Sequence, residues 1–238
     1  MSGSELKADA RKLMMENAPK IFIICIIYLI ISTVISELEF RLPGTSDAYS
    51  QFLQQISAGE PLSTGLLCSD LKPPGVALAA LLWLIRPVIE VGYMSYCLKM
   101  KRKLGGNYKD ILDGFLFFAK IILISIITTV LTLLWSILLI FPGIIASYRY
   151  RQAFYILLDS PEKGVLQCIR ESKTLMAGKK LDLFLLDLSF LGWMLLDYIV
   201  MLVIPAPFSF PIISIYLAPY RGLTCAAYYD QLLNRLVV

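Results

Sequence analysis

Long apolar blocks, separated by short polar segments, dominate the chain and predict an all-α fold. The blocks cover residues 21–36, 74–98, 121–140, 143–159, 181–204 and 212–233. Most of them approach the ~20 apolar residues that a helix needs to cross the hydrocarbon core of a bilayer. We therefore expect a polytopic membrane helix bundle of about six transmembrane helices, in a single membrane domain over residues 1–238.

The polar segments predict two amphipathic elements and one long loop. Residues 1–20 are amphipathic and polar and show no cleavage site, so we interpret the first block as a retained span. Residues 38–73 are rich in proline, glycine and serine, which favours a loop. Ser160-Pro161-Glu162 is typical of a helix start, and Gly178 of a helix end. These signals predict an amphipathic helix over residues 161–178.

Lysine and arginine are distributed unevenly between the connecting segments. With six spans, fifteen fall on the side of the two termini and of segments 99–110 and 159–180, against two in the 38–73 loop. Basic residues are retained on the cytoplasmic side of membranes. We therefore expect a cell-membrane protein with N- and C-termini in the cytoplasm and the 38–73 loop outside. A re-entrant loop is the alternative for block 143–159, but it would place the basic 159–180 segment outside.

Three short pieces of the sequence resemble one another and suggest an internal repeat. Pro87 precedes Tyr93 by the same spacing as Pro142 precedes Tyr148, and "YLAPYRGL" places Tyr220 in the register of Tyr148. The repeated unit would be an amphipathic cytoplasmic helix followed by a transmembrane hairpin. Chance similarity within an apolar alphabet is the alternative interpretation.

Composition favours a membrane protein and argues against an enzyme. Hydrophobic residues make up 58% of the chain and charged residues only 17%, where a soluble domain carries about 25%. The chain has no histidine, and its five cysteines form no CxxC pair. GxSxG, HExxH and P-loop motifs are also missing. We therefore expect no catalytic residues, metal site or cofactor, and no nucleic-acid partner.

Several ionisable residues fall inside the apolar blocks, where each costs about 2.5–3.5 kcal/mol on insertion scales. The expected intramembrane charge network consists of Arg86, Glu90, Arg149, Arg151, Asp187, Asp197 and Arg221, with Asp230 as a further candidate. Such residues persist when they pair with one another or line water. The network therefore either lines a substrate or ion path or ties helices together.

Spacing and depth along the helices suggest partners for these charges. Arg86 and Glu90 are spaced i,i+4 and can pair on one helix face. Counting ~1.5 Å per residue places Arg149 and Asp197 at similar depth, which favours an ion pair between them. By the same count, Asp187 and Glu90 would share Arg86 or Arg221. Arg151 would join the tyrosines or a phosphate headgroup.

The third block carries a polar stripe at helical spacing, formed by Ser125, Thr128, Thr129, Thr132 and Ser136. A stripe of small polar residues is typical of a seam between packed helices. Lining of a cavity is the alternative.

The stretch from Phe141 to Met194 resembles a bacterial integral-membrane family called domain of unknown function 975. The resemblance rests on the FPG turn, the tyrosine-rich helix after it, the D-S-P-E cap, "RESKTLMAGKK" and "LSFLGW". It implies a multi-pass membrane protein without known enzymatic activity, and it implies no active-site residues.

Two classes of function remain open at this stage. The first is a non-enzymatic membrane protein that binds membrane lipids or other membrane proteins. The alternative is a small transporter or channel that uses the intramembrane charge network.

Overall fold

The computed structural model describes residues 3–41, 73–203 and 212–235, and all regular structure in these ranges is helical, as predicted. The α-helices are α1 (Gly3–Glu16), α2 (Lys20–Arg41), α3 (Pro73–Lys101), α4 (Asp113–Leu116), α5 (Phe118–Leu138), α6 (Ile140–Tyr150), α7 (Ala153–Asp159), α8 (Val165–Leu175), α9 (Lys180–Val203) and α10 (Ile212–Asn234). A 3-10 helix, Tyr108–Leu112, precedes α4. Most of the predicted 38–73 loop lies outside the described residues.

The chain divides into two compact units, residues 1–29 with 88–238, and residues 30–87. In the smaller unit, Ile35 and Leu82 are buried, and the guanidinium group of Arg86 donates to the Glu39 carboxylate at 2.8 Å. The larger unit holds the main apolar core. The single domain that the sequence suggested stays a prediction.

Within the described ranges, four helices are long and apolar enough to cross a membrane: α2, α3, α5 and α9. They correspond to four of the six predicted spans. The sixth block forms α10, whose 23 residues are long enough, but its tyrosines and Arg221 lower the hydropathy. The six-span repeat is therefore not confirmed, although the membrane character of the chain is supported.

The fourth block is divided into two short helices and does not form one span. Helix α6 ends at Tyr150, and α7 begins at Ala153 after a turn at Arg151 and Gln152. At its other end, α6 forms a hairpin with α5 through the extended backbone of Leu139, at φ −163° and ψ 146°. Pro142 lies in the first turn of α6, where a missing N–H leaves no helical bond unmade.

The predicted amphipathic helix exists as α8, but it begins later than expected. Ser160 ends α7, with its N–H donating to the Ile156 carbonyl, so it does not cap α8; Gly164 occupies that position. Buried Cys168 and Leu175 lie on one face of α8, which confirms the amphipathic pattern. The chain then turns at Gly178, with φ at 72°.

Helix α1 packs along α10 and α9 through one apolar face. Leu6, Ala10 and Leu13 are buried on this face. Ser4 and Arg235 line the same cavity of about 490 Å³, which contains residues from α1, α9 and α10. The two ends of the described chain therefore lie next to each other.

Candidate functional site

Asp187 is the centre of the charge cluster that the structure assembles. Its carboxylate accepts hydrogen bonds from the Arg151 guanidinium group and, at 3.1 Å, from the Tyr148 hydroxyl. The Nε atom of Arg221 lies 3.6 Å from the other carboxylate oxygen. One carboxylate therefore faces two guanidinium groups, and the Asp187 side chain is only 15% exposed.

A small cavity borders this cluster. Its volume is about 210 Å³, and its charged lining residues are Glu90, Arg151 and Arg221. Tyr28 and Tyr93, whose rings stack at 4.3 Å between centroids, also line it. Positive and negative groups are therefore both present at the wall of a mostly apolar cavity.

The predicted ion pair between Arg149 and Asp197 is wrong. Asp197 accepts from the backbone N–H of Ile213 at 3.1 Å and from the Ser214 hydroxyl, so it caps the start of α10. A carboxylate is stabilised there by the partial positive charge of a helix N-terminus. The guanidinium group of Arg149 lies 5.9 Å from the centre of the Tyr150 ring, and its buried Nε atom meets no acceptor among the described residues.

The other predicted pairings hold only in part. Arg86 donates to Glu39 and, at 3.0 Å, to Ser36, and the predicted pair with Glu90 is wrong. Helix α2 continues to Arg41, which carries Glu39 beyond the predicted end of the first span. Asp187 was predicted to contact Arg86 or Arg221, and its contact with Arg221 is present.

A second ion cluster was not predicted from the sequence. Arg102, just after α3, donates to Asp159 at 2.5 and 2.9 Å and to Asp230 at 2.8 and 3.0 Å. The Tyr229 hydroxyl also donates to Asp159, at 2.9 Å. The hydrogen bonds that Arg102 donates to Asp159 raise the pKa of Arg102, burial opposes this shift, and Asp230 adds to it. Arg102 had been counted only as one of the basic residues that indicate orientation.

Helices α6 and α9 border an apolar groove of about 570 Å³. Its lining consists of Phe141, Ile144, Ile145, Tyr148, Gly178, Lys180, Leu181 and Phe184. The rings of Tyr148 and Phe184 meet edge to face, 5.8 Å apart. The groove is therefore apolar, with one ammonium group at its wall.

The lysine of the groove differs from its neighbour. Within the described ranges, no acceptor lies at the ammonium group of Lys180, and no carboxylate lines the groove. Lys179 pairs with Asp182 at 3.5 Å. The charge of Lys180 is therefore not balanced by a carboxylate in the described part of the groove.

The groove also bears on the predicted topology. Phe141 and Lys180 line one groove, whereas six full spans would place them on opposite faces of the membrane. The full crossing that we preferred for block 143–159 is therefore not confirmed.

Two hydroxyl groups of the polar stripe bond within their own helix. Thr128 donates to the Ile124 carbonyl at 2.7 Å, and Ser136 donates to the Thr132 carbonyl at 2.9 Å. A Cβ atom on Gly143 would lie 2.0 Å from the Ser136 Oγ atom, so α5 and α6 approach closely here. This end of the stripe is a packing seam. Across the described part of the chain, no cluster of histidine, cysteine and acidic residues has the geometry of a metal site.

Comparison with known proteins supports the resemblance over the C-terminal region. Residues 136–236 match the model of a family described as "Protein of unknown function (DUF975)". This range contains α6 to α10, and with them Arg151, Asp187 and Arg221 of the charge cluster and the groove. No curated protein and no solved structure matches the chain.

Proposed function

We propose that this chain, in which residues 136–236 belong to a family of unknown function, is a non-enzymatic membrane protein that binds an anionic phospholipid. The binding site is the groove between α6 and α9. The observation that carries this proposal is the ammonium group of Lys180, which has no acceptor in the described chain and lies at the wall of the apolar groove.

The chemistry of a phospholipid matches both parts of the groove. Ile144, Ile145 and Leu181 offer an apolar wall to an acyl chain. Lys180 begins α9, one of the helices able to span, so its ammonium group lies near the depth of lipid phosphates. Basic residues at this depth favour anionic headgroups by about 1 kcal/mol each.

The headgroup contact decides between a bound lipid and bulk lipid. Lipid tails are as apolar as leucine, so moving an acyl chain from the bilayer into the groove gains little. Selectivity must then come from the groove shape and from the charge of Lys180. The lysine is therefore the residue to change.

The test compares two adjacent lysines. Purified wild-type, Lys180→Ala and Lys179→Ala proteins in detergent are mixed with phosphatidylglycerol, and bound lipid is counted by native mass spectrometry. The proposal expects Lys180→Ala to retain several-fold less lipid than Lys179→Ala, which removes the same charge one residue away. Equal retention by the two variants would overturn it.

The same proposal includes a location in the cell membrane with both termini in the cytoplasm. The excess of lysine and arginine in the N-terminal tail and in segments 99–110 and 159–180 supports this orientation. The shared cavity of Ser4 and Arg235 supports placing both termini on one side. Labelling of tags at either end in intact cells would contradict it.

A second candidate is transport of a small polar molecule. The observation in its favour is the 210 Å³ cavity between Glu90, Arg151 and Arg221. Ionisable residues at membrane depth mark many transport pathways. Transport would be favoured over lipid binding if proteoliposomes with the wild-type protein take up a small polar molecule and those with Glu90→Gln do not, while lipid retention is unchanged.

A further inference from the structure

The connection between α3 and α5 exposes an unusual amount of apolar surface. Its side chains with exposures between 47% and 75% are Leu104, Tyr108, Leu112, Phe115 and Leu116. Tyr108, Leu112, Phe115 and Leu116 lie in the 3-10 helix and α4, Leu104 precedes them, and we call the exposed surface of these five side chains the apolar face. We call residues 103–116 the connecting segment.

The acidic groups of the connecting segment are turned away from this face. Lys99 binds Asp110 and Asp113, each at 2.6 Å, and Ser95 donates to Asp113 at 2.8 Å. Asp110 also accepts from the backbone N–H of Asn107 at 2.6 Å. Both carboxylates are therefore bound by groups of the protein and share the charge of Lys99.

The basic side chains of the segment remain available. Lys103 and Lys109 are exposed, and no acceptor lies at either ammonium group in the part of the chain that the structure describes. The exposed face of the segment is therefore apolar with a positive charge.

Two close backbone contacts fix the segment against α3. A Cβ atom on Gly92 would lie 1.9 Å from the Ile111 carbonyl oxygen, and one on Gly114 would lie 2.0 Å from that of Val88. Only glycine permits this distance. The apolar face is therefore held in one orientation.

The position of the segment in the chain identifies what covers this face. Candidate span α3 ends at Lys101 and candidate span α5 begins at Phe118, so the segment lies where two spans leave the bilayer. At this level an apolar face with basic residues meets acyl chains and anionic headgroups. We propose that the connecting segment is an interfacial anchor that inserts Leu112 and its neighbours into an anionic membrane surface.

This anchor is independent of the groove, and its test uses other residues. In a background of Trp83→Phe, Trp135→Phe and Trp193→Phe, one tryptophan is introduced by Leu112→Trp, or by Thr174→Trp as an exposed control on α8. The proteins are reconstituted in phosphatidylcholine vesicles with 30% phosphatidylglycerol and brominated acyl chains. A second variant, Tyr108→Trp, repeats the measurement if Leu112→Trp does not fold.

The expected result is fluorescence quenching at position 112 or 108 at least twofold stronger than at position 174. Adding Lys103→Ala and Lys109→Ala should reduce this quenching, and vesicles without phosphatidylglycerol should do the same. Quenching no stronger than that of the control would overturn insertion. Quenching independent of both lysines and of the anionic lipid would overturn the anionic partner. If neither the brominated chains nor aqueous iodide quench the introduced tryptophan, the face is covered by protein, and the proposal is overturned.

Discussion

Arg151 donates a hydrogen bond to Asp187, which lies 36 residues later in the chain. Arg151 occupies the turn between α6 and α7, and Asp187 lies within α9. This contact, and not one made by Arg149, joins the divided fourth block to the fifth. It explains why a guanidinium group is retained at this position in an apolar sequence.

The Arg151–Asp187 pair predicts a coupling that can be measured. Removing one partner of a buried ion pair costs ~3–5 kcal/mol in soluble proteins. The 28% exposure of the Arg151 side chain lowers the expected cost here. Arg151→Ala and Asp187→Asn should each lower thermal stability in detergent, and the double variant should lose less than the sum.

Arg149→Ala is the control for this cycle. Arg149 lies at the end of α6, two residues before Arg151, and has no carboxylate partner in the described ranges, so its loss should change stability much less. Strict additivity of the Arg151 and Asp187 changes would show that the contact does not contribute.

The Arg102 cluster predicts that arginine geometry matters more than charge. Arg102→Ala leaves Asp159 and Asp230 without their shared cation, and bonds to charged groups contribute ~1.5–3 kcal/mol each. Arg102→Lys should recover only part of the loss, because an ammonium group cannot make the two-pronged contact. The readout is thermal unfolding, with exposed Lys173→Ala as the control. Full recovery by lysine would contradict the geometric role.

Gly143 predicts a steric effect in the hairpin of α5 and α6. Gly143→Ala places a Cβ atom 2.0 Å from the Ser136 Oγ atom and 2.9 Å from its Cα atom. Overpacking of this kind costs about 1–3 kcal/mol. Gly192→Ala in α9 meets nothing within 4 Å and should stabilise the helix slightly. Thermal stability is measured for both variants in one detergent. Equal stability of Gly143→Ala and Gly192→Ala would show that the hairpin is loosely packed and would contradict the prediction.

Glu171 predicts an acid-dependent contribution to stability. Burial disfavours its ionised form, but hydrogen bonds from Lys163 and Gln167 outweigh this, so its pKa is lowered. The contribution is present above the ordinary pKa of about 4.3 and is lost as the pH falls through the lowered value. Glu171→Gln should therefore lower stability at pH 7 and match the wild type near pH 2. An equal difference at both pH values would contradict the ion pair.

The apolar pattern was sufficient to predict most helices. The uncharged block that follows Lys20 corresponds to α2, and the uncharged block that contains Leu138 corresponds to α5. This agreement is expected, because hydropathy and length determine whether a helix can cross a membrane. The division of the fourth block was not predicted. Gln152 is a residue that a helix accepts, so no local signal marks the turn there.

Residue counting was not sufficient to predict the ion pairs. Counting residues along a helix gives the depth of a side chain in the membrane only if the helix is straight. The count also does not show toward which neighbouring helix the side chain points. Arg149 and Arg151 differ by about half a turn, and only the second faces Asp187. The Arg102 cluster joins three segments distant in sequence, and such proximity requires the tertiary structure.

Cross-linking of a photoactivatable phosphatidylglycerol tests the central claim most directly. The lipid carries a diazirine on one acyl chain and is reconstituted with the protein in nanodiscs, and cross-linked peptides are counted by mass spectrometry. We predict that peptides containing Ile145 and Leu181 are labelled several-fold more than those containing Leu133 and Ile137, which are also apolar and more than half exposed. This excess should fall in Lys180→Ala and persist in Lys179→Ala. Uniform labelling of all exposed apolar faces, with no effect of Lys180, would contradict the account.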